Sequence, residues 1–113
     1  MKFHPLAEIS LDFSVRVVRF CDTIERHAVL KNQLLRAATS IGANIHEGVY
    51  ASSGNDFIAK YQISLKECFE TEYWLKVIQR AGVASDEQVK PLLNQSGRIR
   101  RMLIASITTV KGN

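Results

Sequence analysis

The 113 residues of this chain are 46% hydrophobic and 23% charged, the balance of one soluble globular domain over residues 1–113 and too short for a two-domain enzyme. Six Gly and two Pro are too few for the turns of an all-β fold, so the composition favours helices. Fifteen Lys and Arg against 11 Asp and Glu give a formal net charge of +4, which makes phosphate-bearing partners a class to test.

From about Leu6 to His27, the residues Leu6, Ile9, Phe13, Val17, Phe20 and Ile24 recur at steps of three or four, with Arg16, Arg19, Asp22 and Glu25 between them. That spacing predicts an amphipathic helix. A second helix, from about Val29 to Tyr50, repeats the pattern with Leu30, Leu34, Ala38, Ile41, Ile45 and Val49. Its small residues Ala37, Ala38, Gly42, Ala43 and Gly48 let a neighbouring helix come close, which offsets the roughly 1 kcal/mol that Gly42 costs a helix.

Ser52 to Asn55 form a turn, and Ser53 with Asp56 resembles a capping box that opens a third helix running to about Ala81. Gly82 supplies the left-handed residue that ends it. Ser85 with Gln88 is a closer capping box and opens a fourth segment, whose Leu92, Ser96, Ile99, Leu103, Ser106 and Val110 form the core face. Pro91 lacks an N–H donor, which predicts a bend there or a start nearer Lys90. Short connections make consecutive helices antiparallel neighbours. The expected fold is all-α, an up-down-up-down four-helix bundle.

On the third helix, Phe57, Ile58, Tyr61, Leu65, Cys68, Phe69 and Leu75 share one face. Ile63, Trp74 and Val77 gather on the other side, either as scattered surface hydrophobes or, as preferred here, as a contact between subunits of a homo-oligomer. Glu72 projects onto the apolar face and needs a partner, for which Arg16, Arg36 and His46 are candidates. A buried structural pair is expected rather than a general base, because no nucleophile or metal set accompanies it. Glu67 and Glu70 lack a following His, and His46-Glu47 lacks the second His of a zinc motif, so neither enzyme activity, metal nor cofactor is expected.

After Glu87 no acidic residue occurs, and Lys90, Asn94, Arg98 and Arg101 form a stripe opposite the core face of the fourth helix. Such a stripe is either a solvated face or a phosphate-binding surface. No aromatic residues interleave with these arginines, so base stacking is not expected of them. Cys21 and Cys68 fall in apolar stretches and read as buried free thiols. The absence of a signal pattern and of any run of about 20 apolar residues points to the reducing cytoplasm, without a membrane span.

The segments QLLRAATSIGANIHEG (33–48), DFIAKYQISLKE (56–67) and ETEYWL (70–75) resemble the four-helix bundle proteins of the 23S ribosomal RNA intervening-sequence family, and PLAEISLDFSVRVVRF (5–20) resembles a branch of it. Gly42 stands where many members have proline and His46 where many have alanine. The resemblance implies a bacterial cytoplasmic bundle with homopentameric assembly, and fold-level kinship with the basic pentameric accessory variability proteins of diversity-generating retroelements, which bind nucleic acid. It marks Arg36, Ser40, Asn44, Glu47 and Glu72 as signature polar residues. These read as an internal or intersubunit hydrogen-bond network. The expected function is a non-enzymatic homo-oligomer that binds RNA or DNA by its basic surface, against the alternative of a protein-binding scaffold.

Overall fold

The structure, a computed structural model, describes residues 4–112. Four helices follow one another: α1 (Pro5–Asp22), α2 (Ala28–Val49), α3 (Gly54–Arg80) and α4 (Asp86–Lys111). Contacts join α1 to α2, α2 to α3, α3 to α4 and α4 back to α1, so each helix touches two neighbours and the set closes into a bundle. Cross-helix pairs fix the directions. Glu47 meets Lys60, whereas Arg36, earlier on α2, meets Glu67, later on α3. Gly54 approaches Val110 while Glu72 meets Arg100, and Asp12 bonds Gln95 while Phe20 and Thr23 share a groove with Gln88 and Pro91. Those three helix pairs are antiparallel, which makes α1 antiparallel to α2 as well, and the fold is the expected up-down-up-down bundle.

Local chemistry sets most helix ends. Ser53 Oγ accepts the N–H of Asp56, whose carboxylate takes the N–H of Ser52 rather than of Ser53. Ser85 and Gln88 form the full capping box. At the end of α3, Gly82 adopts φ +72°, and the Val83 and Gly82 N–H groups reach the carbonyls of Ile78 and Gln79, the paired bonds of a Schellman motif. Two expectations are corrected. The first helix ends at Asp22 rather than near His27, yet Ile24 is buried in the following loop, so the apolar spacing outlasts the helix. The fourth starts at Asp86 and runs through Pro91: the capping box already holds the first turn, and the exposed proline removes only one bond.

The core consists of fully buried Phe13, Val17, Leu34, Ile41, Ile45, Tyr61, Leu75, Ile78, Ile99 and Leu103 among others. On α3 the buried line is Tyr61, Ser64, Cys68, Thr71, Leu75 and Ile78. Phe69, expected on that face, is instead 55% exposed, because it points about 100° away from Cys68 and past the edge of the stripe. Toward the end of α4 the core residue is Ile107, and Val110 is exposed.

Gly42 and Gly48 of α2 admit neighbouring helices as expected, whereas Ala43 is exposed. A Cβ on Gly42 would lie 3.3 Å from the Ser10 carbonyl oxygen of α1, and one on Gly48 would lie 2.6 Å and 2.8 Å from ring carbons of Tyr61 on α3. Two helices thus approach the α2 backbone at glycines, and Ser64 Oγ on α3 is close enough to donate to the Ile41 carbonyl at 2.9 Å. Both cysteines are buried and unpaired. Burial pushes the Cys21 thiol up to about 11, and burial together with the charge of Glu72 pushes the Cys68 thiol up to about 12.

Gly48→Ala adds about 1 kcal/mol of helix propensity, but its methyl must displace the buried Tyr61 ring, and overpacking typically costs about 1–3 kcal/mol. A net loss of stability is therefore expected in urea denaturation, and an unchanged midpoint would show that the ring moves freely. The thiols yield a second prediction. Above pH 9 the unfolded chain releases thiol protons that the folded chain retains, so stability falls as pH rises toward 11. Cys21→Ala with Cys68→Ala should flatten that decline in denaturation series at pH 8 to 11.

Candidate functional site

Glu72 lies on the flank of α3 that faces α4, with its side chain 13% exposed. Arg100 Nε donates to its Oε2 at 3.0 Å, and Ser96 Oγ donates to the same oxygen at 3.2 Å. Glu72 is paired, but the pair is part-buried rather than buried, and its partner is Arg100 and none of the three residues expected. Arg16 bonds Gln95, Arg36 pairs with α3 carboxylates, and His46 Nδ1 lies 2.8 Å from the Gly42 carbonyl on its own helix. Arg100 also sits over the ring of Phe69, 5.6 Å from its centroid, so one guanidinium ties a part-buried carboxylate to an exposed aromatic.

The other signature polar residues lie across the opposite flank of α3. Arg36 bridges Glu67, at 2.9 Å, and Glu70; Glu47 pairs with Lys60 at 3.1 Å. Ser40 Oγ donates to the Arg36 carbonyl and Asn44 Nδ2 to the Ser40 carbonyl, so both bond within α2. Within one chain the five residues therefore form separate clusters, and Glu72 is remote from the other four because α3 stands between them.

Lys90, Arg98 and Arg101 are all exposed, and none forms an ion pair among the described residues. At about 100° per residue they occupy an arc of about 80° on α4. Of the proposed subunit stripe, Ile63 is 45% exposed, whereas Trp74 and Val77 are half-buried. Trp74 packs on the core of its own chain and lines a hollow with His27, Val29 and Leu30; its buried indole N–H has no partner among the described residues. A different apolar line, Leu11, Val15 and Val18 on α1, is more than 40% exposed throughout. In the sequence this line is masked by the stronger apolar stripe of Leu6, Phe13, Val17 and Phe20 on the buried side of the same helix. Among the described residues no three His, Cys, Asp or Glu side chains gather as a metal would require, and no helix is long and apolar enough to cross a membrane.

Comparison with known proteins gives this geometry a lineage. The family model for 23S rRNA-intervening sequence proteins matches residues 6–105. The chain belongs to that family. A protein of unknown function from the S23 ribosomal protein family of Bacteroides thetaiotaomicron VPI-5482, whose crystal structure is known, is 42% identical and superposes with a TM-score of 0.86. The match covers 90% of this chain and 97% of that one, so the two proteins share the same bundle over that length. No curated protein matches the chain.

Removing the Glu72 carboxylate leaves Arg100 without its anion. Because the pair keeps an edge in water, Glu72→Ala is expected to cost about 2 kcal/mol, less than the 3–5 of a fully buried pair. Guanidinium denaturation measures it. A change within about 0.5 kcal/mol, the range of ordinary surface sites, would show that the pair contributes nothing.

Proposed function

We propose that this intervening-sequence protein is a non-enzymatic homo-oligomer that holds RNA or DNA by its phosphate backbone along the outer face of α4. The observation that carries the reading is that Lys90, Arg98 and Arg101 share one exposed face and have no anionic partner in the described chain. Three fixed cations on a rigid helix attract phosphate, and their long side chains position a backbone rather than read bases. Assembly is favoured by the exposed Leu11, Val15 and Val18 of α1, with Ile63 and the edges of Trp74 and Val77 as the other apolar surface. Repetition of the α4 face around an oligomer, a pentamer by the family resemblance, multiplies the field without a new motif. The reading places the protein in the reducing cytoplasm, where Cys21 and Cys68 remain thiols.

Filter binding with structured RNA, single-stranded DNA and duplex DNA at two salt concentrations tests it. Replacing Lys90, Arg98 and Arg101 together by Gln keeps helix propensity and the core intact. The triple variant is expected to weaken binding to all sequences alike and to reduce the salt slope by about one for each residue. Unchanged affinity and slope would make the stripe a solvated face, and a wild type that binds nothing at low salt would favour a protein-binding scaffold. Light scattering that finds only single 12.7 kDa chains at high concentration would remove the oligomer.

A further inference from the structure

The outward line of α3 has a chemistry unlike that of the α4 stripe. Gln62, Lys66, Phe69, Tyr73, Lys76 and Arg80 recur at steps of four, three, four, three and four, which keeps them within an arc of about 80°. All six are exposed and none is acidic. Phe69 and Tyr73 are 55% and 59% exposed, unusually open for large aromatics, and they are bracketed by Lys66 on one side and by Lys76 and Arg80 on the other. The nearest carboxylates on α3 are already engaged, Glu70 by Arg36 and Glu72 by Arg100.

Neighbouring side chains hold both rings in place. Arg100 lies over Phe69, and Trp74, anchored against the core, meets Tyr73 edge-on with ring centroids 5.0 Å apart. Beside Tyr73 a hollow of about 420 Å³ is lined by Tyr73, Lys76, Val77, Arg80 and Ala81. The line also continues into the basic face of α4. A Cβ on Gly97 would lie 3.4 Å from a guanidinium nitrogen of Arg100 and 3.4 Å from one of Arg101, so the two cations converge over a glycine at the α3–α4 seam.

The geometry points to a single-stranded nucleic acid along this line, with bases stacked on Phe69 and Tyr73 and phosphates on Lys66, Lys76, Arg80 and Arg101. It rests on the nucleic-acid reading above and adds to it the form of the ligand. The two rings are one helical turn apart, about 6 Å along the axis, whereas duplex bases are about 3.4 Å apart and stack on one another. Only an unstacked strand can present one base face to each ring, and stacking between bases and aromatic side chains tolerates any sequence. A symmetric contact between two copies of this line is disfavoured by charge, since it would oppose cations with cations.

Fluorescence anisotropy tests this with a labelled oligothymidylate of about 16 nucleotides, the upper end of one such site, an abasic strand of the same length, and a duplex. The wild type is expected to bind oligothymidylate at least tenfold more tightly than the abasic strand. Phe69→Leu with Tyr73→Leu, which leaves charge unchanged and slightly favours the helix, should lose that advantage while duplex binding and salt slope stay as they were. Emission from Trp74, the one tryptophan, should change on saturation with oligothymidylate and not with the abasic strand. This reads the wild type even if the double variant folds poorly. Equal binding of the two strands, or a double variant that keeps the advantage, overturns the inference and leaves the α4 reading in place. A double variant with lower mass by light scattering overturns it by making the line a subunit contact, and a wild type that binds none of the three probes overturns both.

Discussion

The close approach of two helices to the backbone of α2 is the constraint on which the rest of the arrangement depends. At Gly42 the α1 backbone and the hydroxyls of Ser10 and Ser14 come within 3.3–3.4 Å of where a Cβ would be, and at Gly48 the Tyr61 ring occupies that space outright. A Cβ at Gly42 would make its α1 neighbours give by a few tenths of an ångström, and one at Gly48 would force the buried Tyr61 ring to shift. Tyr61, seated on glycine, fixes the rotation of α3 about its own axis. Ser64, Cys68, Thr71, Leu75 and Ile78 then turn inward, and the line from Gln62 to Arg80 can only face solvent.

That rotation also decides the polar chemistry of the two flanks of α3. One flank brings Glu67 and Glu70 within reach of Arg36, and Lys60 within reach of Glu47; these pairs are partly exposed, and each contributes little to stability. The other flank brings Glu72 against α4, where Arg100 and Ser96 meet it in a more enclosed setting. Here the interaction matters more for what its loss would leave behind than for its net strength, since an uncompensated charge in a half-buried seam is expensive. Arg100 serves both the part-buried carboxylate and the Phe69 ring. A pair that reads as structural from inside the bundle therefore also orients a group on its surface.

The sequence made legible whatever depends on local chemistry. Ser85 with Gln88, Ser53 with Asp56, and Gly82 act within a few residues of themselves; Ser85, Ser53 and Gly82 do what their residue types predict, and only Asp56 reaches one residue further back than a capping box requires. Apolar spacing located the helices but misjudged an end, because Ile24 continues the stripe after the backbone has left the helix, and it misjudged Phe69, which lies just beyond the edge of the buried arc. The partner of Glu72 was not legible for a different reason. Which α4 residue stands opposite position 72 depends on the register of two helices joined by a short turn, and no pattern within either helix encodes it. Arg100 is one of five basic residues of α4; helical spacing separates it from the outward Arg98 and Arg101, but only packing shows that it meets Glu72. The step pattern from Gln62 to Arg80 was readable in principle, but its exposure was not, since the same spacing serves equally well for a core face.

The bundle also separates its surfaces by geometry. The backbones of α1 and α3 do not adjoin and stand diagonally across the core that both helices fill, so their outward faces point away from each other. On α1 that face carries Leu11, Val15 and Val18 with Glu8 and Asp22 beside them, and on α3 it carries Phe69 and Tyr73 with Lys66, Lys76 and Arg80 along it, the nearby Glu70 and Glu72 being paired with Arg36 and Arg100. Apolar burial between copies is best served by the first, whose aliphatic side chains are short and whose carboxylates repel phosphate. The second is flanked by α4, so its cations add to those of Lys90, Arg98 and Arg101 rather than opposing them. Subunits that met through α1 would leave every α3–α4 face turned outward, and the charge that would resist a contact between such faces is the same charge that would attract a polyanion to them.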